Sequence, residues 1–201
     1  GPTIFGVLSA KSILLAYLKI PFQFSMNSLS IWVVLFLGFH YAKNLKMTAP
    51  IMNAIDALFG FWIVAGGLIV SKTGTVSIDT TYLGAQGMFI GFVVVWISVR
   101  VEKLCTDKNI RINMPDAVPQ FLQDGFASIV PLLFNAVIFL GASLLVTVGT
   151  AGKYNICSGF MELLAIPLSA LTSTIGIFVL CILGALLWTF GIHGTMIFVP
   201  I

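Results

Sequence analysis

Charge is what this sequence has least of. Asp, Glu, Lys and Arg make up 8% of its 201 residues, where soluble domains carry roughly 25%. So little charge cannot cover a water-facing surface. With 59% hydrophobic residues and a mean hydropathy of +1.08, the chain reads as a polytopic membrane protein. Cysteine is scarce as well: Cys105, Cys157 and Cys181 are scattered and odd in number. No CxxC or His/Cys cluster points to a metal or a disulfide framework, so each reads as a small buried apolar residue. No basic patch interleaves with aromatics, which argues against nucleic acid as a partner. The sequence holds no P-loop, no nucleophile elbow and no HExxH, and no cofactor is expected. A basic segment followed by an apolar stretch and a cleavage site is lacking near Gly1, so no signal peptide is read. Both ends, Gly1-Pro2-Thr3-Ile4 and Val199-Pro200-Ile201, read as cut from a longer chain.

What is present is apolar stretches divided by short polar ones. Gly1–Ile20, interrupted by Lys11 and Lys19, reads as a membrane-helix remnant or an interfacial helix. Spans are expected over Leu29–Ala42, Ala49–Val70, Leu83–Val99, Ile129–Val148 and Ile175–Phe190. Gly60, Gly66 and Gly67 in the second, and Gly84, Gly87 and Gly91 in the third, supply small surfaces for close helix packing. Lys72–Thr81 is a polar, β-prone turn, and Arg100–Gln120 is a long polar loop in which Pro115 and Pro119 oppose a continuous helix. Ile156–Leu171 mixes Glu162, Pro167 and hydroxyls with leucines, as a helix lying in the membrane interface does. The expected fold is therefore an all-α integral membrane bundle of about five to six spans. An amphipathic interfacial helix and the start of a re-entrant hairpin complete it. Lys and Arg are densest in the 100–120 loop, which places it in the cytoplasm together with Lys43 and Lys46, and puts residues 72–81 and 149–155 outside.

Against that background His193 stands out. It sits between glycines in Phe190-Gly191-Ile192-His193-Gly194, just past the last full span. A polar ring at membrane depth must face protein or a wet cavity. Gly191 and Gly194 permit the broken backbone that lines one, and Pro200 limits any helix beyond. The alternative is a solvated histidine at a helix end. Trp188 is a belt aromatic or a sugar-stacking platform. Asp56 reads as a carboxylate near a helix N-terminus or as a cavity-facing acid. Asp124 reads as a residue at a helix start, while Glu162 and His40 belong at the interface.

Four segments together resemble a known family: Arg100-Val101-Glu102-Lys103-Leu104, Arg111-Ile112-Asn113-Met114-Pro115-Asp116-Ala117-Val118-Pro119, Ile166-Pro167-Leu168, and Trp188-Thr189-Phe190-Gly191-Ile192-His193-Gly194. The resemblance is to the membrane (EIIC) subunit of the phosphoenolpyruvate-dependent sugar phosphotransferase system, in its lactose/cellobiose/diacetylchitobiose branch, truncated at both ends. It implies a transmembrane dimerisation part over 1–155, an amphipathic connecting helix over 156–171 and the start of a sugar-transport part over 172–201. It further implies a homodimer in the bacterial cytoplasmic membrane that carries a β-linked disaccharide. A IIB subunit, itself phosphorylated on cysteine by way of IIA, would phosphorylate the bound sugar. His193 would contact the sugar hydroxyl that accepts phosphate, with Trp188, Gly191 and Gly194 around it. The resemblance pairs His193 with a glutamate on a second hairpin beyond Ile201, so no complete catalytic site is expected in this chain. Arg100, Lys103, Lys108, Arg111 and Asp116 would face the cytoplasm and IIB. Two other readings stand beside it. One is a proton-coupled sugar transporter relaying through Asp56 and His193. The other is a membrane fragment that transports nothing.

Overall fold

The computed structural model describes residues 10–70, 74–115, 117–169 and 174–189. The described residues are mostly helical: α1 (Ala10–Asn27), α2 (Leu29–Asn44), α3 (Pro50–Ala65), α4 (Met88–Asp107), α5 (Gln120–Gly149), α6 (Ile156–Ser169) and α7 (Thr174–Thr189). A short antiparallel hairpin, β1 (Gly67–Val70) and β2 (Val76–Asp79), pairs Gly67 with Asp79 and Val70 with Val76. Helix α5 is long and apolar enough to cross a membrane alone, and α1 with α2 qualifies jointly across a 44° bend.

Helices α2 to α5 form the bundle. Their buried faces carry small residues where backbones approach. A Cβ placed on Gly38 of α2 would sit 3.1 Å from Ala54 Cα of α3. A Cβ on Gly91 of α4 would meet Val34 of α2 at 2.6 Å. Phe61 fills the centre, fully buried among Val34, Val94, Val95 and Val99. The α4 face repeats every three to four residues, through Met88, Gly91, Val95, Ser98, Glu102 and Cys105, the spacing of one buried helix stripe.

Three helices stop by the same device. The N–H of Met47 reaches Ala42 O, that of Ile110 reaches Cys105 O, and that of Gly152 reaches Thr147 O. Lys46, Asn109 and Ala151 sit between, each at positive φ. These are Schellman ends, which satisfy the last carbonyls of a helix. Proline marks starts: Pro50 opens α3 and Pro119 immediately precedes α5.

Two expected boundaries move. The Ala49–Val70 span is helical only to Ala65, and its end is strand β1. The Gly66–Gly67 pair ends the helix: the Gly66 N–H reaches Trp62 O while the chain turns into the hairpin. Residues 100–107 of the expected polar loop are instead the last two turns of α4. The 45–49 turn and the 111–114 segment lie at one end of the bundle, sharing the walls of two cavities. The hairpin lies at the other end, where α6 joins through Cys157 Sγ, 3.6 Å from Val64 O.

Candidate functional site

The expected sugar-contact group divides at the limit of the described residues. Trp188 lies near the end of α7 with its side chain 58% exposed. Gly191, His193 and Gly194 lie outside the described residues, as does Asp116.

The expected basic patch can be followed residue by residue, and its members diverge. Arg100 turns back onto α2, where its Nε donates to the Tyr41 hydroxyl at 2.8 Å. Lys103 runs along its own helix to Asp107 Oδ1, at 3.1 Å. Lys108 is exposed at the Schellman turn that ends α4. Arg111 folds inward and lines both cavities at this end. A charged stretch read as loop becomes a helix end because Arg and Lys can run their stems along an apolar bundle. The four heads therefore serve different neighbours.

The acidic residues sort more sharply. Glu162 is exposed. Asp124, in the second turn of α5, accepts from Gln120 Nε2 at 2.9 Å and borders the cavities. Asp56 is buried to 3% exposure rather than waiting at a helix end. Its carboxyl lies against that of Glu102, which is buried to 1%. Glu102 was not singled out from the sequence. Its signal was legible: it falls four residues after Ser98 and eleven after Gly91, on the buried stripe of α4. A charge there is turned toward the bundle.

At the hairpin end, Asp79 closes an Asx-type turn. Its Oδ1 accepts from the Thr81 N–H at 2.9 Å and from the Thr81 hydroxyl. These bonds hold its carboxyl below the usual carboxylate range. The same end is tied to α2 by Ser30, whose hydroxyl donates to Gly84 O and whose N–H bonds Leu83 O. A largely apolar cavity of about 490 Å³ lies beside it, walled by Phe24, Trp32, Trp62 and Leu83.

Comparison with known proteins adds the family. The family model described as "Phosphotransferase system, EIIC" matches residues 3–201. The oligo-beta-mannoside-specific EIIC component of Bacillus subtilis is 30% identical over 177 residues, covering 86% of this chain and 39% of the relative. The lactose-specific EIICB component of Lactococcus lactis is 29% identical over 195 residues, covering 92% of this chain and 33% of the relative. The chain thus spans between a third and two fifths of the length of these relatives. Its fold matches the crystal structure of ChbC, the IIC component from the N,N'-diacetylchitobiose-specific phosphotransferase system. The TM-score is 0.66 at 23% identity, over 90% of this chain and 44% of that one. A family of integral membrane transporters accounts for the missing charge, the apolar helix faces and the motifs around Arg111 and Trp188 at once: the chain belongs to the phosphotransferase system EIIC family.

Proposed function

We propose that this chain is part of a sugar-specific permease that carries a β-linked disaccharide across the bacterial cytoplasmic membrane. The permease presents the sugar to a cysteine-phosphorylated IIB subunit, which is charged in turn by IIA. The observation that carries the reading is the family match, which runs from residue 3 to residue 201 and so includes the Trp188–Gly194 motif.

Residues 1–155 would supply the membrane-embedded dimerisation part of a multi-pass homodimer. Residues 156–171 would be the amphipathic connector, and 172–201 the start of the transport part with its re-entrant turn. In the transfer step the sugar hydroxyl oxygen forms a bond to phosphorus as the sulfur–phosphorus bond of the phosphocysteine breaks. The hydroxyl must lose its proton. His193 is suited to accept it, because imidazole titrates near neutral pH. Gly191 and Gly194 leave the backbone beside it without side chains, and Trp188 offers a ring face to the sugar.

The test is His193→Ala in the protein as the cell makes it, read as uptake and sugar phosphorylation in membrane vesicles. Vesicles supplied with phosphoenolpyruvate and the soluble phosphotransfer proteins should phosphorylate the sugar with the native protein. The variant should insert normally and lose both activities. Normal uptake by the variant rejects the role of His193, and uptake driven by a proton gradient alone rejects the phosphotransferase reading.

A further inference from the structure

A group of polar side chains lies between α3, α4 and α5, apart from the residues named for sugar contact. Helix spacing arranges it in layers. Gly60 faces Ser98 and Phe139: a Cβ on Gly60 would lie 3.3 Å from Ser98 Oγ and 2.6 Å from the Phe139 ring. Four residues along each helix, toward the 45–49 turn, come Asp56, Glu102 and Asn135. One turn further come Asn53, Thr106 and Pro131, which with Ser128 border a cavity of about 40 Å³.

These groups are buried and short of partners. Asn135 is 0% exposed and Asn53 7%. Beyond each other, Asp56 Oδ2 and both Glu102 oxygens meet no donor among the described residues. Asn53 Oδ1 and both polar atoms of the Asn135 amide are likewise unmet. Buried polar groups are nearly always satisfied, so unmet oxygens gathered in one place point to a shared occupant.

The chemistry of the set narrows the occupant. It offers carboxyl and amide oxygens and no sulfur or imidazole, and among the described residues no three His, Cys, Asp or Glu gather as they would for a transition metal. Hard oxygen ligands suit hard cations. Water would also fit; a cation would take the place of the proton that the touching Asp56 and Glu102 carboxyls share. Glu102 and Asp124 border the cavity with Asp56 behind, and Arg111 is the one basic residue on its wall. There is also a route in. A second cavity of about 170 Å³ shares Thr48, Arg111, Asp124 and Ala127 with the first and is walled by the 111–114 segment.

We propose that Asp56, Glu102, Asn53 and Asn135 bind a small monovalent cation of the sodium class, which enters past Arg111 and pins α3, α4 and α5 together. Binding of radioactive sodium to the purified full-length protein in detergent tests this directly, with thermal unfolding at fixed pH and ionic strength beside it. Sodium should bind saturably and raise the unfolding temperature by about 5 °C over choline chloride at saturation. Glu102→Gln should abolish both effects, while Asp107→Asn, on the exposed side of α4, should retain them. Because the native protein alone gives a binding readout, a Glu102→Gln variant that fails to fold leaves the test intact. No saturable sodium binding by the native protein overturns the proposal, and so does equal stabilisation by choline. Stronger binding of calcium or magnesium than of sodium overturns the monovalent assignment.

Discussion

Gly60 and Gly141 are both helical glycines, yet alanine should act on them with opposite sign. At Gly60 a Cβ would stand 2.6 and 2.7 Å from two Phe139 ring carbons and 3.3 Å from Ser98 Oγ. Phe139 is itself buried, so the ring has nowhere to retreat. Overpacking of this kind costs about 1–3 kcal/mol, more than the roughly 1 kcal/mol that alanine gains over glycine in a helix. Gly60→Ala is therefore expected to destabilise by up to about 2 kcal/mol. Gly141, with nothing within 4 Å of its built Cβ, should gain up to about 1 kcal/mol on Gly141→Ala. Thermal unfolding in detergent reads both, and a shift of the same sign in the two variants would refute the packing account. Asp79 gives a prediction in pH. The Thr81 bonds lower its folded pKa, so its contribution is fully present above the unfolded value near 3.8. It disappears as pH falls through the lower folded value. Asp79→Ala should thus lose a little stability at neutral pH and converge with the native protein in acid. A constant difference across the acid range would contradict this.

Elements are where sequence reading and structure part company. The helical bundle was legible because long apolar stretches with periodic glycines have few other solutions. The ends were not, for two physical reasons. Gly66-Gly67 was read as a packing surface, but without side chains the pair ends α3 and lets the backbone turn into β1. The stretch from Arg100 has the charge density of a solvent loop, yet Tyr41 and Asp107 give those charges partners beside a continuing helix. The same charge density hid Glu102, although its spacing marked it as inward. The stretch around His193, expected to contact sugar, is legible only as a motif. The Schellman ends were the least visible, since Lys46 and Ala151 replace the glycine that usually signals them. That substitution carries a prediction. A non-glycine residue in the left-handed region costs about 1–2 kcal/mol, and the αL site of Ala151 is exposed at the end of α5. Ala151→Gly should raise the unfolding temperature by roughly 2–6 °C, and a lowered value would mean that the side chain makes a contact worth more than the strain.

For the whole molecule the question is which surface meets what. Helix α5 carries exposed Leu133, Val137, Leu144 and Leu145, a face suited to lipid or to another protein, not to water. Helix α3 has 16 residues and rises about 24 Å, short of the roughly 30 Å hydrocarbon core. Its polar layer sits in a bundle with the hairpin at one end and the 45–49 turn at the other. That second end carries exposed Lys108, and the proposed function would set it toward IIB. The divergence of the four basic residues divides this idea into separable halves. Lys103 and Lys108 act on solvent, and the Lys103–Asp107 pair at an exposed helix surface is worth only about 0.3–0.5 kcal/mol. Arg100 and Arg111 act on the bundle, through Tyr41 and the inner cavity. If the end docks an acidic partner by charge, Lys103→Gln with Lys108→Gln should raise KM for phosphorylated IIB several-fold, most strongly at low salt, with the unfolding temperature unchanged. Arg100→Gln with Arg111→Gln should instead lower the unfolding temperature and leave the salt dependence of KM as it was. A salt-independent KM in the lysine pair would remove electrostatic docking from this end of the molecule, whatever the arginine pair does.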